Sequence, residues 1–277
     1  MIRNNNELFT KYRRIATGIR KKIVKMHAIS NTSHIGSALS CVDILAGLYF
    51  SILRIDPKNP NYKNRDRFIL SKGHAASALY ATLAQRGFFS EEILEQYCID
   101  GGKLSGHSTK ACVPGVEAST GSLGHGLSIG IGMALAAKYD ASKYRVFVLL
   151  SDGECDEGSV WEAAMFASHH KLDNLIAIID YNKIQAFGRT KEVLNLEPFV
   201  DKWKAFGWEV KEIDGHDFQE ILHVLKGIPF KEGKPSIAIA HTVKGKGISF
   251  MEDEVLWHYK SPNKEQLEIA LRELSSL

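Results

Sequence analysis

Two short apolar segments limit the folds that this chain can adopt. "RVFVLL" at 145–150 and "NLIAIID" at 174–180 become polar only at their ends. Strands that are apolar throughout are covered on both faces, which is typical of parallel sheets with helices on either side. Two further strand-like segments, 208–213 and 236–241, follow with helical patterns between them. The pattern predicts an α/β fold with a doubly wound, mainly parallel sheet flanked by helices.

Amphipathic segments between and before the strands are predicted to be helices. In the second half they span 157–170, 197–206, 217–225 and 263–274. In the first half they span 11–29, 41–53, 74–86, 90–98 and 123–139. No linker, repeat or low-complexity segment divides the chain. We predict one domain over residues 1–277, in which the helical N-terminal portion, 1–140, is integral.

Three features of the composition argue against nucleic-acid binding, a membrane span and a paired-cysteine site. The formal net charge of +3 is small and scattered, which does not suggest nucleic-acid binding. No apolar run approaches the roughly 18 residues that span a bilayer, and no signal peptide is recognised. The cysteines at 41, 98, 112 and 155 form no Cys-x-x-Cys pair. We expect a cytoplasmic protein that binds neither nucleic acid nor membrane.

Oxygen-bearing side chains follow both apolar strands. Asp152 and Asn182 are 30 positions apart, the length of a strand–helix–strand unit, so they should meet at one edge of the sheet, where ligands bind. Their oxygens suit Mg²⁺ or Ca²⁺, and Mg²⁺ is commonly completed by ligand phosphates and water. Gly153 would let backbone N–H groups approach a phosphate. The alternative is an acidic turn that caps the next helix beside an unrelated asparagine.

Histidines are concentrated in small-residue loops. Five of the eleven occur in Gly- or Ser-rich contexts: His34, His74, His107, His125 and His258. Together they suggest a pocket whose side chains bind anions or move protons near neutral pH. Structural zinc is a competing explanation, but no His-x-x-x-His or Cys/His cluster has the spacing of zinc ligands.

Several motifs occur in the order and spacing of one enzyme family. They are "SHIGSALS", "DRFILSKGHAA", "GHST", "STGSLGHG", "SDGECDEGSVWEA", "YNKIQAFG", "DGHD" and "TVKGKG" with the following "WHYKSP". Between about residues 10 and 262 the chain resembles the N-terminal, diphosphate-binding domain of transketolase. The resemblance implies the thiamine-diphosphate-binding fold. It also implies two cofactors, thiamine diphosphate and Mg²⁺, with Ca²⁺ or Mn²⁺ as substitutes for the metal.

The resemblance implies roles for individual residues. The metal ligands would be Asp152, the Asn182 side chain and the Ile184 carbonyl. The cofactor would contact Ser37, His74, Gly121, Ser122, Leu123, Gly153, Asn182, Lys244 and His258. The catalytic residues that contact the sugar and assist proton transfer would be His34, His107 and His258.

Three positions depart from the family pattern. The usual Gly-Asp-Gly reads Ser151-Asp152-Gly153, and the proline after the first loop histidine is Ile35. Ser151 should be tolerated at this strand exit if its φ is negative. His125 replaces a residue that is often glutamine in the family, and its role stays open.

The resemblance also implies a partner. A transketolase is over twice this long, and its further domains bind the aminopyrimidine and supply an activating glutamate. We expect a separate C-terminal subunit to provide both, in an α₂β₂ assembly. Glu157 and Glu162 match glutamates at the domain interface, where close carboxylates can share a proton with the partner. The alternative is that both are solvated in the first turns of a helix, although apolar neighbours argue against simple exposure of Glu162.

Our leading hypothesis is the N-terminal subunit of a split transketolase-like enzyme. It would transfer a two-carbon ketol unit between a ketose (phosphate) donor and an aldose acceptor, and only with its partner. One alternative is the α subunit of a thiamine-dependent 2-oxoacid decarboxylase or dehydrogenase. The histidine-rich loops favour a polyhydroxylated sugar over a short 2-oxoacid. The other alternative, a non-catalytic paralogue, conflicts with the retained Asp152, Asn182, His74 and His258.

Overall fold

Five parallel strands form the sheet in this computed structural model, which describes residues 2–276 and the side chains of 7–276. The strands are β1 (Arg67–Leu70), β2 (Val146–Ser151), β3 (Leu175–Tyr181), β4 (Glu209–Asp214) and β5 (Ser236–His241), in the order β1-β2-β3-β5-β4. Ser151 pairs with Asp180, and Tyr181 pairs with His241. The carboxyl ends of three central strands therefore lie side by side.

Ten α-helices precede, connect and follow the strands within the described residues. They are α1 (Ile2–Ser30), α2 (Ile35–Ser40), α3 (Val42–Gly47), α4 (Ala76–Arg86), α5 (His125–Tyr139), α6 (Gly158–His169), α7 (Thr190–Val193), α8 (Phe199–Ala205), α9 (Phe218–Lys226) and α10 (Lys264–Ser276). Short 3₁₀ turns lie at Gly73–Ala75, Glu91–Gln96, Gly153–Asp156 and Val255–His258. None of the helices in 2–276 combines the length and apolar character that a bilayer span requires.

Alternate residues of the strands face two separate apolar cores. In β2, Phe147 and Leu149 belong to the core shared with α1–α4, α9 and α10. Val146, Val148 and Leu150 belong to the core shared with α5, α6 and α8. Both faces of the sheet are thus covered by helices, and the predicted doubly wound α/β class is confirmed.

The N-terminal helices differ most from the sequence prediction. Strands β2–β5 lie within one residue of their predicted bounds, but β1 falls inside the portion that reads as helical. The single helix predicted over 41–53 is α3 followed by a π-helical turn at Leu48–Ile52, and 90–98 contains only a 3₁₀ turn. Every residue of α2 and α3 is buried. A helix that is buried all round has no amphipathic period from which its bounds could be predicted.

Candidate active site

The loops at the carboxyl edge of the sheet surround a cavity of about 390 Å³. It is lined by His34, Ser37, His74, His107, Gly121, Leu123, Ser151, Asp152, Gly153, Asp156, Glu157, Asn182, Ile184, Gln185, Ala186, Phe187 and His258. Of the predicted site residues, all but Ser122, Glu162 and Lys244 belong to this lining. Residues from distant parts of the sequence therefore meet at the edge where a parallel sheet binds ligands.

Three predicted site residues lie outside the cavity lining. Lys244 is completely buried behind it, and its ammonium donates to the Ile184 carbonyl at 3.1 Å. Ser122 is exposed beside the cavity. Glu162 is also exposed, contrary to what its apolar neighbours suggest, because α6 turns Ala163 and the other buried residues toward the sheet.

The three candidate metal ligands already accept hydrogen bonds. Asp152 Oδ2 accepts from the N–H of Lys183 at 2.5 Å. Asn182 Oδ1 accepts from the N–H of Ile184 at 3.1 Å, and the Ile184 carbonyl accepts from Lys244. Each of these oxygens has two lone pairs, so each can still bind a cation.

The surroundings of Asp152 favour a nearby positive charge. This carboxylate is 1% exposed, and its burial, together with the charge of Asp180, raises its pKa to about 7. The Gly153 N–H donates to Asp152 Oδ1 at 2.7 Å, so this amide already has a partner. Within residues 2–276 no group of three or more His, Cys, Asp or Glu side chains can hold a metal ion. The set of carboxylate, amide and main-chain oxygens nevertheless fits Mg²⁺, which takes oxygen ligands and keeps open positions for phosphate and water.

A buried ion pair that could not be inferred from the sequence holds the Asn182 side chain in its orientation. Lys72 and Asp180 are both inaccessible to solvent and form a salt bridge. Burial alone would raise the pKa of Asp180, but Lys72 and the hydroxyl donors Ser40 and Thr242 hold it below its ordinary value. Asp180 also accepts from Asn182 Nδ2 at 3.3 Å. This contact fixes which end of the amide is the oxygen and leaves Oδ1 as the ligand atom.

Four histidines lie close together in the cavity. The ring of His34 is 5.3 Å from that of His74, 5.9 Å from that of His107 and 5.0 Å from that of His258. Burial, with the neighbouring charge of His107, lowers the pKa of His34 to about 4, and burial with Lys244 lowers that of His258 to about 3. Burial also places the pKa of His74 well below its usual value. These three imidazoles are neutral at pH 7, so each can donate and accept a hydrogen bond.

The proton position on His258 follows from its neighbour. Lys244 Nζ lies 3.0 Å from His258 Nδ1. Because an ammonium group can only donate, Nδ1 accepts and the ring proton is on Nε2. The carbonyl of His258 accepts from the N–H of His34 at 2.8 Å, and His34 has φ 77, in the left-handed region. A non-glycine residue is held in this conformation only when its surroundings fix it, so these two histidines form a rigid unit.

Several residues at the site carried no assigned role in the sequence. Glu154 is completely buried and accepts from three donors. Asp156 accepts from Gln185 Nε2 at 2.7 Å, while its Oδ1 has no partner within the described residues. Phe187 is 86% exposed at the cavity mouth. His125 lies outside the cavity lining at the start of α5, with Nδ1 3.0 Å from the Leu123 carbonyl.

Comparisons with protein families, with other proteins and with solved structures all point to one enzyme family. The family described as "Transketolase, thiamine diphosphate binding domain" matches residues 12–271. An apulose-4-phosphate transketolase subunit of Phocaeicola vulgatus is 48% identical over 256 residues, which are 92% of this chain and 91% of that protein. The 6-deoxy-6-sulfo-D-fructose transketolase subunit SqwG of a Clostridium species is 44% identical over 259 residues, 94% of each chain.

Longer proteins match over part of their length. Human transketolase is 38% identical over 262 residues, which are 94% of this chain and 41% of that protein. The crystal structure of transketolase from Campylobacter jejuni superposes with a TM-score of 0.89 at 33% identity and covers 95% of this chain and 42% of that one. The chain thus spans nearly all of the subunit relatives and about two fifths of these transketolases.

Proposed function

Because the chain belongs to the transketolase thiamine diphosphate-binding domain family, we propose that it is one subunit of a two-chain transketolase. With a C-terminal partner it would transfer a two-carbon ketol unit from a ketose (phosphate) donor to an aldose acceptor. The observation that carries the proposal is the cavity in which Asp152 and Asn182 meet His34, His74, His107 and His258. The match over nearly the full length of two proteins named as transketolase subunits supports a divided enzyme.

We infer that this edge of the sheet holds the cofactor and its metal. Asp152, Asn182 and the Ile184 carbonyl would hold Mg²⁺, His74 and Gly153 would meet the diphosphate, and the charge of Lys244 would act on it from behind the cavity lining. Burial, with the charge of Lys72, lowers the pKa of Lys244 to about 8, so this residue is mostly protonated at pH 7 and can neutralise phosphate charge. Ser37, Gly121, Ser122 and Leu123 would complete the contacts. When bound, thiamine diphosphate supplies the electron sink that carbon–carbon bond cleavage requires.

Three of the cavity histidines would bind the sugar. His258 would donate its Nε2 proton to a substrate oxygen, because Nδ1 is taken by Lys244. His34 and His107 would bind carbonyl and hydroxyl oxygens, and the imidazole of His34, which is neutral at pH 7, can also accept a proton. A polyhydroxylated sugar needs several such groups, whereas a short 2-oxoacid does not. This difference favours ketol transfer over oxoacid decarboxylation.

The partner would complete the site beside Glu157. This residue is exposed at the cavity edge, where α6 begins, and Glu162 is exposed farther along the same helix. We infer that the partner supplies the pyrimidine-binding domain and the activating glutamate, and that Glu157 and Glu162 lie at the contact in an α₂β₂ enzyme. All four cysteines are free thiols, which supports a cytoplasmic location.

Reconstitution tests the proposed function. The chain is purified alone and with any companion that copurifies, and both preparations are assayed with ketose phosphates and with pyruvate. We expect ketol transfer only from the complex, with loss of activity on removal of thiamine diphosphate or Mg²⁺ and recovery on their return. Full ketol transfer by the chain alone, or activity that needs no thiamine diphosphate, would contradict the proposal.

Asp152→Asn tests the metal site. The substitution keeps the shape of the side chain but removes a charged oxygen ligand. Loss of a residue that only supports a metal ligand weakens binding by about 10-fold to 100-fold. We therefore expect loss of the ligand itself to raise the Kd for thiamine diphosphate with Mg²⁺ by about 100-fold or more. Calorimetric titration measures this Kd. Asp173→Asn, which changes a carboxylate paired with Lys138 outside the cavity lining, is the control and should leave Kd unchanged. Unaltered binding by Asp152→Asn would refute the metal site.

A further inference from the structure

The cavity wall formed by residues 121–123 is held at both ends. At one end, Thr120 Oγ1 donates to the Leu70 carbonyl at 2.7 Å. At the other end, the Gly124 N–H donates to Glu154 Oε1 at 2.9 Å. Since Gly121 and Leu123 line the cavity between these anchors, the position of the wall depends on what holds Gly124.

The segment after β2 contacts Gly124 from two directions. In addition to the bond from its N–H to Glu154, its carbonyl accepts from Ser159 Oγ at 3.1 Å. Gly124 has φ +82, and a Cβ at this position would lie 2.8 Å from the Cβ of Glu157. Only glycine fits this close approach without strain. The wall is therefore tied to the acidic segment that begins at the end of β2.

Glu154 joins three segments of the cavity through one carboxylate. Its side chain has no solvent exposure, and it accepts from Ser71 Oγ at the end of β1, from the Gly124 N–H and, through Oε2 at 3.2 Å, from the Ser151 N–H at the end of β2. Three donors point at its two oxygens, so the carboxylate serves here as an acceptor. Removal of this acceptor would leave buried N–H groups without partners.

Ser151 completes this arrangement, and it stands where the family usually has glycine. Its N–H donates to Glu154, and its Oγ accepts from the Glu154 N–H at 3.3 Å. These reciprocal bonds form a capping box of the Ser-x-x-Glu type. The turn enclosed by this box carries Asp152 and Gly153. The φ of Ser151 is not positive, which meets the condition for tolerating a side chain at this strand exit, so the hydroxyl is gained without backbone strain.

We propose that Glu154 is a positioning residue of this enzyme and that Ser151 is its partner. The carboxylate fixes the separation between the Asp152–Gly153 turn and the wall at 121–123. These two features lie on the metal side and the ring side of the proposed cofactor position. The inference rests on the proposed function, because the separation matters only if thiamine diphosphate binds between them. Glu154 itself does not line the cavity and acts through Gly124 and the turn.

Glu154→Gln is the main test, made in the full chain together with its companion. An amide has only one acceptor oxygen, so it cannot accept from all three donors. We expect the Kd for thiamine diphosphate with Mg²⁺ to rise about 10-fold to 100-fold, as for other residues that support a metal site from behind. Hydrogen–deuterium exchange without cofactor should also accelerate at residues 121–124. A role in stability alone would alter neither quantity at temperatures well below unfolding.

Asp66→Asn is the matched control. Asp66 is a buried carboxylate that binds Arg54 and Arg145 at the opposite edge of the sheet, before β1 begins. Its substitution should lower stability while leaving both the cofactor Kd and the exchange of residues 121–124 unchanged. The comparison separates a positioning role from the general cost of losing a buried carboxylate.

Ser151→Gly and Ser71→Ala keep the proposal testable if Glu154→Gln does not fold. Each removes one hydroxyl hydrogen bond, so the cofactor Kd should rise about threefold to tenfold. In a folded Ser151→Gly/Glu154→Gln variant, the effect should be smaller than the product of the single effects, because the residues form one unit. Unchanged Kd in the folded variants, when the unsubstituted protein binds cofactor, overturns the proposal. No cofactor binding by the unsubstituted protein overturns the proposed function instead, and this inference with it.

Discussion

His27 is a buried titratable residue that organises the approach to the site. It lies in α1, and its Nδ1 is 3.1 Å from the Thr32 carbonyl while its Nε2 is 2.9 Å from Ser77 Oγ. Because a carbonyl can only accept, Nδ1 carries the ring proton and Nε2 accepts from the hydroxyl. The neutral ring thus anchors the turn that leads to His34. Burial lowers the pKa of His27 to about 4.

This buried imidazole predicts a loss of stability in mild acid. The folded pKa is about 4 and the unfolded pKa is about 6.5, so the unfolded state binds more protons between these values. The contribution of His27 is complete above about pH 6.5 and declines toward pH 4, by about 3 kcal/mol in all. His27→Gln should remove this part of the pH dependence, which urea unfolding at several pH values measures.

Ser77→Ala is the control for the His27 prediction. It removes the hydrogen bond to Nε2 but keeps the buried ring. We expect a loss of about 1 kcal/mol at every pH, with most of the pH dependence retained. If His27→Gln shows the same pH dependence as the unsubstituted protein, the proton uptake on unfolding arises elsewhere.

At the residue scale, site residues that lie in a recognisable local motif could be predicted from the sequence. Site residues whose role depends on tertiary contacts could not. Asp152 and Asn182 could be predicted because each follows an apolar strand. Asp180 is the last residue of the predicted strand 174–180, but its ion pair with Lys72 joins residues far apart in sequence and could not be inferred from either. Glu154 had a local signal, the Ser-x-x-Glu spacing from Ser151, which indicates a capping box.

At the scale of elements, one ion pair holds the loop that carries Lys244. Arg20 in α1 binds both carboxylate oxygens of Asp43 in α3, at 2.9 and 2.6 Å, and its Nε donates to the Lys246 carbonyl at 3.0 Å. His216 Nδ1 lies 2.7 Å from the same carboxylate, and His216 Nε2 accepts from the N–H of Val243. The loop after β5 is thus bonded directly to α1 and to the β4–α9 turn, and Asp43 in α3 holds both of these contacts.

Arg20→Leu should therefore destabilise the protein strongly. Both side chains of the ion pair are almost completely buried, and among residues 7–276 the substitution leaves Asp43 with only His216 as a side-chain partner. We expect the free energy of unfolding in urea to fall by about 3 kcal/mol or more. Lys204→Met breaks an exposed pair with Asp201 and should change it by less than about 1 kcal/mol. Equal effects of the two substitutions would show that the buried pair has no special role.

Helices and strands could be predicted where the local sequence pattern is strong and were missed where it is weak. Strands β2 and β3 are long enough and apolar enough to be recognised alone. Strand β1 has four residues between a charged loop and a Gly-containing turn, and its strand conformation depends on pairing with β2. Helix α2 contains Ser37 and Ser40, whose burial is compensated by tertiary contacts such as the bond from Ser40 to Asp180. Neither element has a local pattern strong enough to identify it.

At the scale of the whole molecule, α6 connects the cavity to an exposed apolar surface. Glu157 lines the cavity just before the helix begins. Two turns farther along, Met165 is 54% exposed and Phe166 is 43% exposed. The neighbouring helix α5 presents an exposed Gly132 with open space where a Cβ would lie. A partner that supplies a glutamate beside Glu157 would extend along α6 over these exposed apolar side chains.

Phe166→Glu should weaken assembly with the companion chain. Full burial of a phenylalanine side chain contributes about 1.5–3 kcal/mol, and Phe166 is 43% exposed before assembly, so about 0.6–1.3 kcal/mol remains to be gained. Its loss predicts a rise of about threefold to tenfold in the Kd between the two chains. Sedimentation velocity over a concentration series measures this Kd. Ketol transfer at low protein concentration should fall in parallel and recover when the companion is in excess, since the substitution leaves the cavity intact.

Tyr62→Glu distinguishes a specific interface from a general effect of added charge. Tyr62 is 51% exposed and precedes β1, at the edge of the sheet opposite the cavity. A partner that completes the active site would not reach this residue. Because a substitution outside an interface leaves the buried area of the interface unchanged, the Kd for assembly should stay within about twofold of its original value. If Tyr62→Glu weakens assembly as much as Phe166→Glu, or if neither does, the companion does not bind along α6.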